Sequence, residues 1–164
     1  MRKRLALIAG ACVLVTGAIV ARADWDPGDP FKMHYPQLPD PNGIDIKASY
    51  PKILADDWQC TETGPVSDIH IWGSWFSDLK YSGAWIHASI HSDIPANPNN
   101  PYSRPGDLLW AHDFAPGTYS QRLYGPPSPQ TWWDPKQPYD PIPNHVNTWQ
   151  YNIVDIPQPF IQTA

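Results

Sequence analysis

The sequence predicts an all-β fold, an antiparallel β-sandwich or jelly-roll-like domain with long proline-rich loops. Three observations predict it. All twenty-one prolines lie after residue 23, and proline is excluded from helix interiors and central strands, so regular elements are confined to the proline-free windows. Those windows alternate in polarity with period two and are rich in β-branched and aromatic residues, the strand signature. None shows apolar residues at i, i+3, i+4, i+7 over a useful length, so helix is minor.

The elements follow in order. A short strand is expected around Gly43–Ser49 (GIDIKAS). Gly64-Pro65 starts the next. Ser67–Phe76 (SDIHIWGSWF) puts Ile69, Ile71, Gly73 and Trp75 on one face and His70, Trp72, Ser74 and Phe76 on the other. Leu79–Gly83 is the expected link of a hairpin to Ala84–Ile94, where Ile86, Ala88 and Ile90 oppose Trp85, His87, Ser89 and His91. Leu108–Phe114 and Thr148–Ile156 read the same way, and Pro159–Ala164 looks like the start of a further strand. Regular turns between short strands argue a sandwich or jelly roll. Two long connections, Pro95–Gly106 and Gly125–His145, are expected as loops, and loops of that length tend to be functional or disordered.

Residues Met1–Ala23 read as a targeting segment. Arg2, Lys3 and Arg4 precede an apolar run from Leu5 to Val20, and Ala21-Arg22-Ala23 supplies the small-x-small cleavage pattern. The expectation is a Sec-type signal peptide, cleavage after Ala23, a secreted or extracytoplasmic location and no membrane insertion afterwards. The apolar run is near the lower limit for a spanning helix. Lipidation at Cys12 is set aside, because Ala9-Gly10-Ala11 lacks the usual leucine. Residues 24–164 then form one β-sandwich domain, long enough for a sizeable core. Four of the eleven basic residues leave with the signal, so seven remain against sixteen acidic ones, a net charge of −9. That sign disfavours nucleic acid and anionic membranes as partners. Cys60 is left without an intrachain partner, which excludes a disulfide scaffold. It reads as a small buried hydrophobe beside Trp58.

The stretch DPNGIDIKASYPKILADDWQCTETGPVSDIHIWGSW, followed by IHASIHSDIPANPNNPYSRPGDLLWAHDF, resembles an uncharacterised family of secreted bacterial all-β domains of planctomycete-like genomes. The resemblance runs from about Gln37 to Phe160 and is most specific in the block ADD-x-x-C-TETGP-x-x-DIHIWGSW. It implies an all-β domain of unknown function, with no catalytic residues to carry over. It also implies further strands beyond Ala164, so a C-terminally truncated domain is expected.

Three candidate sites follow from residue chemistry. Aromatic faces suit sugar rings, which pack C–H groups on the ring while an indole N–H or phenol O–H serves a hydroxyl. Trp132, Trp133 and Tyr139, on the second long loop, form the candidate carbohydrate platform; the alternative is that they pin that loop to the body. Trp72, Trp75, Trp85, Trp110 and Trp149 sit on strands and are expected in the core. Asp40, Asn42 and Asp45 around Gly43 offer hard oxygen donors of the kind Ca²⁺ takes, although the spacing departs from the EF-hand loop and an Asn-Gly turn accounts for it as well. Asp56-Asp57 is a further donor pair with the same turn alternative. His70, His87, His91 and His112 are polar-face histidines without the H-x-H cluster of a cupin sheet, and His87 and His91 sit roughly 13 Å apart along a strand. No G-x-S-x-G motif is present, and Glu62 is the only glutamate. Abundant aspartates make a glycosidase carboxylate pair uninformative. The expectation is an exported, noncatalytic interaction module without a cofactor beyond a structural Ca²⁺, whose partner is a polysaccharide or cell-surface component. A purely structural extracellular domain is the alternative, and a metal-dependent jelly-roll hydrolase comes third. The ligand and the oligomeric state are not legible.

Overall fold

The computed structural model describes residues 24–33, 35–137 and 142–164; the expected targeting segment and Tyr139 lie outside them. The described chain is all-β, with ten strands and one 3₁₀ turn, Phe76–Asp78. The strands are β1 (Ile44–Ile46), β2 (Gly64–Pro65), β3 (Ile69–Ser74), β4 (Ile86–Ile94) and β5 (Arg104–Phe114), then β6 (Ser120–Leu123), β7 (Gln130–Trp133), β8 (Ile142–His145), β9 (Thr148–Ile153) and β10 (Ile161–Gln162).

They form four small sheets. β3, β9 and β6 make an antiparallel sheet with β9 in the centre. β4 and β5 make a long antiparallel ribbon, β7 joins parallel β1 to antiparallel β8, and β10 pairs with β2. The core lies where the ribbon packs on the central sheet. Phe114, Ile153 and Ile156 are buried there, with Ile69, Ile86, Ala88, Trp110 and Tyr119 packed around them. The alternation of β4 is therefore realised as read, with Ile86, Ala88 and Ile90 turned inward.

Three expectations change. The hairpin between Ser67–Phe76 and Ala84–Ile94 does not form: β3 pairs with β9, and β4 with β5. The segment between β3 and β4 carries the chain from one sheet to the other, which a tight hairpin could not do. The long loop Gly125–His145 holds two strands, β7 and β8, despite its prolines. Pro143 is tolerated because β8 lies at a sheet edge, with β7 as its sole partner. Trp85 is not core but 68 % exposed. Period two decides this: when Ile86 points inward, Trp85 must point out.

Strand β9 is buried on both faces. Tyr151 and Ile153 face the ribbon side, while Gln150 and Asn152 are fully buried on the other. These amides are satisfied by the chain's first described residues: Gln150 Nε2 donates to the Trp25 carbonyl at 2.7 Å and Asn152 Nδ2 to Asp24 at 2.7 Å. Arg122, opposite Gln150 in the register, donates to Gln150 Oε1 at 2.5 Å, the Trp25 carbonyl at 2.8 Å and Asp26 at 2.6 Å. Residues 24–26 thus form a strap over a polar sheet face, and buried polar groups need such partners.

Candidate functional site

A cleft of about 440 Å³ lies where the turn after β6 meets the turn before β1. Pocket volumes of roughly 300–1,000 Å³ suit small ligands. Its walls are the rings of Pro39, Pro41, Pro126 and Tyr124, with Asn42 and Ser128 at the sides. Leu38, Gly125, Gln130 and Thr148 complete the lining. Tyr124 is held edge-on against Trp72, with ring centroids 5.6 Å apart. Gly125 follows with φ +68° and open space where a Cβ would stand; the left-handed backbone there favours glycine.

The deep wall of the cleft is fixed by a hydrogen-bond chain. Gln130 Oε1 accepts from Thr148 Oγ1 at 3.1 Å and from His145 Nε2 at 3.2 Å, while His145 Nε2 also donates to Asp45 at 3.1 Å. Gln130 Nε2 donates to the Pro41 carbonyl at 3.4 Å. Gln130 and His145 are buried, so this chain orients the lining but spends the Gln130 amide on protein partners. The Asn42 amide, the Ser128 hydroxyl and the Tyr124 phenol form no side-chain hydrogen bond with a described residue, and they remain to bind a ligand. The lining carries no Asp, Glu, His, Lys or Arg.

The structure separates the residues singled out from sequence. Trp132 and Trp133 are half-buried neighbours on β7, not loop residues, and neighbouring strand residues point to opposite faces. Trp132 packs edge-on to the exposed Phe76 ring, with centroids 4.9 Å apart; Trp133 turns to the other face, beside Ile46 in the register. The pair does not make one platform, and Tyr139 lies outside the described residues. Asp40 serves its own turn: its carbonyl accepts from the Gly43 N–H and its Oδ1 from the Asn42 N–H, each at 2.9 Å. Asp45 is committed to His145, and only Asn42 reaches the cleft. Among the described residues no three His, Cys, Asp or Glu side chains gather as a metal-holding group. Asp56 caps the Asp57 N–H at 2.9 Å. Cys60 is half-buried and donates to Gln162 Oε1 at 3.2 Å.

The histidines divide in the same way. His87 lies 2.6 Å from Asp113 on the exposed face of the ribbon, and His112 stacks on Trp110 in the sandwich. His70 Nδ1 donates to Asn152 Oδ1 at 2.7 Å, and its Nε2 lies 3.5 Å from Asp68. Burial of the His70 ring is the largest single influence and pulls its pKa down. The bonds to Asp68 and Asn152 and the charges of Asp68 and Asp24 together outweigh it, and the net shift is upward. The same bond to His70 holds Asp68 below its usual range against partial burial. Burial also pushes the Tyr151 phenol up to about 12.

Sequence reasoning missed His145, Gln130, Tyr124 and Ser128. Tyr124-Gly125-Pro126 carried a turn signal, but nothing local linked it to Asn42, more than eighty residues earlier.

Fold and cleft together define a small all-β domain with a neutral groove at the side of a sandwich. The chain belongs to a family described as a domain of unknown function, DUF7901, which matches residues 33–164. That match contains the Asp40–Trp75 block on which the resemblance rested. No curated protein and no solved structure matches the chain.

Proposed function

We propose that this chain is an exported, noncatalytic binding module that takes a neutral carbohydrate unit in the Tyr124 cleft. One observation carries the reading: a cleft of about 440 Å³ whose unpaired polar groups, Asn42, Ser128 and Tyr124, are all uncharged and stand beside an aromatic ring and three proline rings. Uncharged amides and hydroxyls match sugar hydroxyls as both donors and acceptors, and ring faces accept the C–H side of a pyranose. Glycoside hydrolysis would need two placed carboxylates, and the lining supplies none, which favours binding over cleavage.

The test is a thermal melt of residues 24–164, followed by tryptophan fluorescence against a panel of neutral and acidic polysaccharides, with Tyr124→Ala and Asn42→Ala in parallel. Binding to the native state raises the midpoint as ligand exceeds its dissociation constant. The expected result is an upward shift with one neutral glycan, reduced at least tenfold in apparent affinity by either substitution. A wild-type midpoint that no glycan moves overturns the reading, as does full retention by both variants.

A second reading, a structural module packed against other polypeptide, is favoured by the outer face of the β4–β5 ribbon. Trp85 and Leu109 are exposed along it, and exposed apolar side chains beyond what a fold needs mark interaction surfaces.

A further inference from the structure

We infer that the chain carries a second binding site, a cationic cleft at the outer edge of β1 that takes a small amphiphilic anion, an apolar chain or ring bearing a carboxylate. The cleft, about 280 Å³, is walled by Ile46, Pro51, Ile53, Leu54 and Pro135. Its other three lining residues are Lys47, Lys52 and Lys136. Residues 24–164 hold only seven lysines and arginines in all, so three of the seven border one cleft in a strongly acidic chain. Chance placement on an acidic surface does not suggest that concentration, and the field there opposes the net charge of the molecule.

The lysines are positioned from below. Asp134, 1 % exposed, accepts from Lys52, from Lys47 at 3.2 Å and from the backbone N–H of Lys136 at 3.0 Å. The Lys52 bond, aided by those of Lys136 and Lys47, outweighs burial and holds the Asp134 carboxyl down at about 2. Asp134 therefore stays ionised at neutral pH and cancels one of the three positive charges. The Lys136 ammonium forms no ion pair with a described residue, so its charge faces the cleft uncompensated.

The apolar walls decide what kind of anion fits. Ile53 is 67 % and Leu54 54 % exposed beside the lysines, and covering them removes apolar area from water at about 25 cal/mol per Å². The lining contains no amide or hydroxyl side chain, so a sugar's hydroxyls would go unpaired there, unlike in the Tyr124 cleft. A simple inorganic anion would use the lysines and leave the apolar walls wet. Only a ligand with both an apolar part and a negative charge uses the whole surface.

The experiment is a ¹⁵N–¹H NMR titration of residues 24–164 with octanoate, octanamide and inorganic phosphate at low ionic strength, repeated with Lys136→Met and Leu54→Asp. Both substitutions lie at exposed positions and leave the ammonium groups on Asp134 in place. The expected result is saturable shifts at Ile46, Lys52, Leu54 and Lys136 with octanoate. Octanamide should bind at least tenfold more weakly, phosphate should give no saturation, and each variant should lose at least fivefold in octanoate affinity with an unchanged melt. Charged-site affinity should also fall as salt is raised. Equal binding of octanoate and octanamide, saturation by phosphate alone, or wild-type affinity in both variants overturns the proposal.

Discussion

Replacing Arg122 with Met removes the clasp between the central sheet and the strap at residues 24–26. The guanidinium donates to Gln150 Oε1, the Trp25 carbonyl and Asp26, and lies 3.7 Å from Asp24. About a third of the Arg122 side chain is exposed, as are larger fractions of Asp24 and Asp26, so screening limits the two ion pairs to about 1 kcal/mol together. Gln150 is fully buried, and orphaning its oxygen costs about 1–3 kcal/mol. The lost bond to the Trp25 carbonyl adds about 1 kcal/mol. The expected destabilisation is about 3–5 kcal/mol, or a fall of roughly 12–20 °C in Tm at this chain length. Urea titration followed by tryptophan fluorescence measures it, and Trp25, edge-on to Trp72 at 6.1 Å, reports release of the strap. Arg122→Lys separates the causes. Lys keeps the charge but not the planar fork, so it should recover only the ion-pair share. A loss below about 1 kcal/mol for Arg122→Met, or near-complete rescue by Lys, refutes the buried-amide argument.

The remaining predictions are briefer. Ile153→Ala, in the centre of the sandwich at zero exposure, should cost about 3 kcal/mol, whereas Ile161→Ala, exposed on β10, should stay within about 0.5 kcal/mol; equal effects in urea melts would mean that the two sheets do not pack as described. Stability should depend on His70. Its folded pKa is raised above 6.5, so its contribution is present below that pH and fades as pH rises through the folded value, while that of Asp68, depressed below 3.8, is lost only as pH falls through its own. His70→Gln should flatten the decline in urea midpoint as pH rises above 6.5, and an unchanged decline argues against the assignment. Trp85→Ser, on the exposed ribbon face, should leave Tm within about 2 °C; a larger fall in calorimetry would show that this ring is covered.

Within one element, the sequence was a sufficient guide. Alternation along β3, β4 and β9 names the strands and divides their faces, because period two is a property of the local backbone and needs no partner. Proline was a weaker guide to the boundaries, for all that its missing N–H is an equally local cause: Pro105 and Pro143 lie inside β5 and β8. Composition and the DIHIWGSW block likewise marked the class and family before any fold was known. What sequence could not determine was which strands pair. β3 passes over the neighbouring β4 to join β9, and β1 joins β7 in parallel, choices made by the total area the two layers bury rather than by any adjacent signal. The same physics hid the cleft: Asn42, Tyr124 and Gln130 meet only once β7 is threaded between β1 and β8. It also divided the two tryptophans, because an adjacent pair that reads as one platform in a loop points to opposite sides once its segment becomes a strand. Tertiary structure made the amides of β9 core residues as well, by folding residues 24–26 over them. A buried amide needs partners that are distant in sequence, and no local pattern names them.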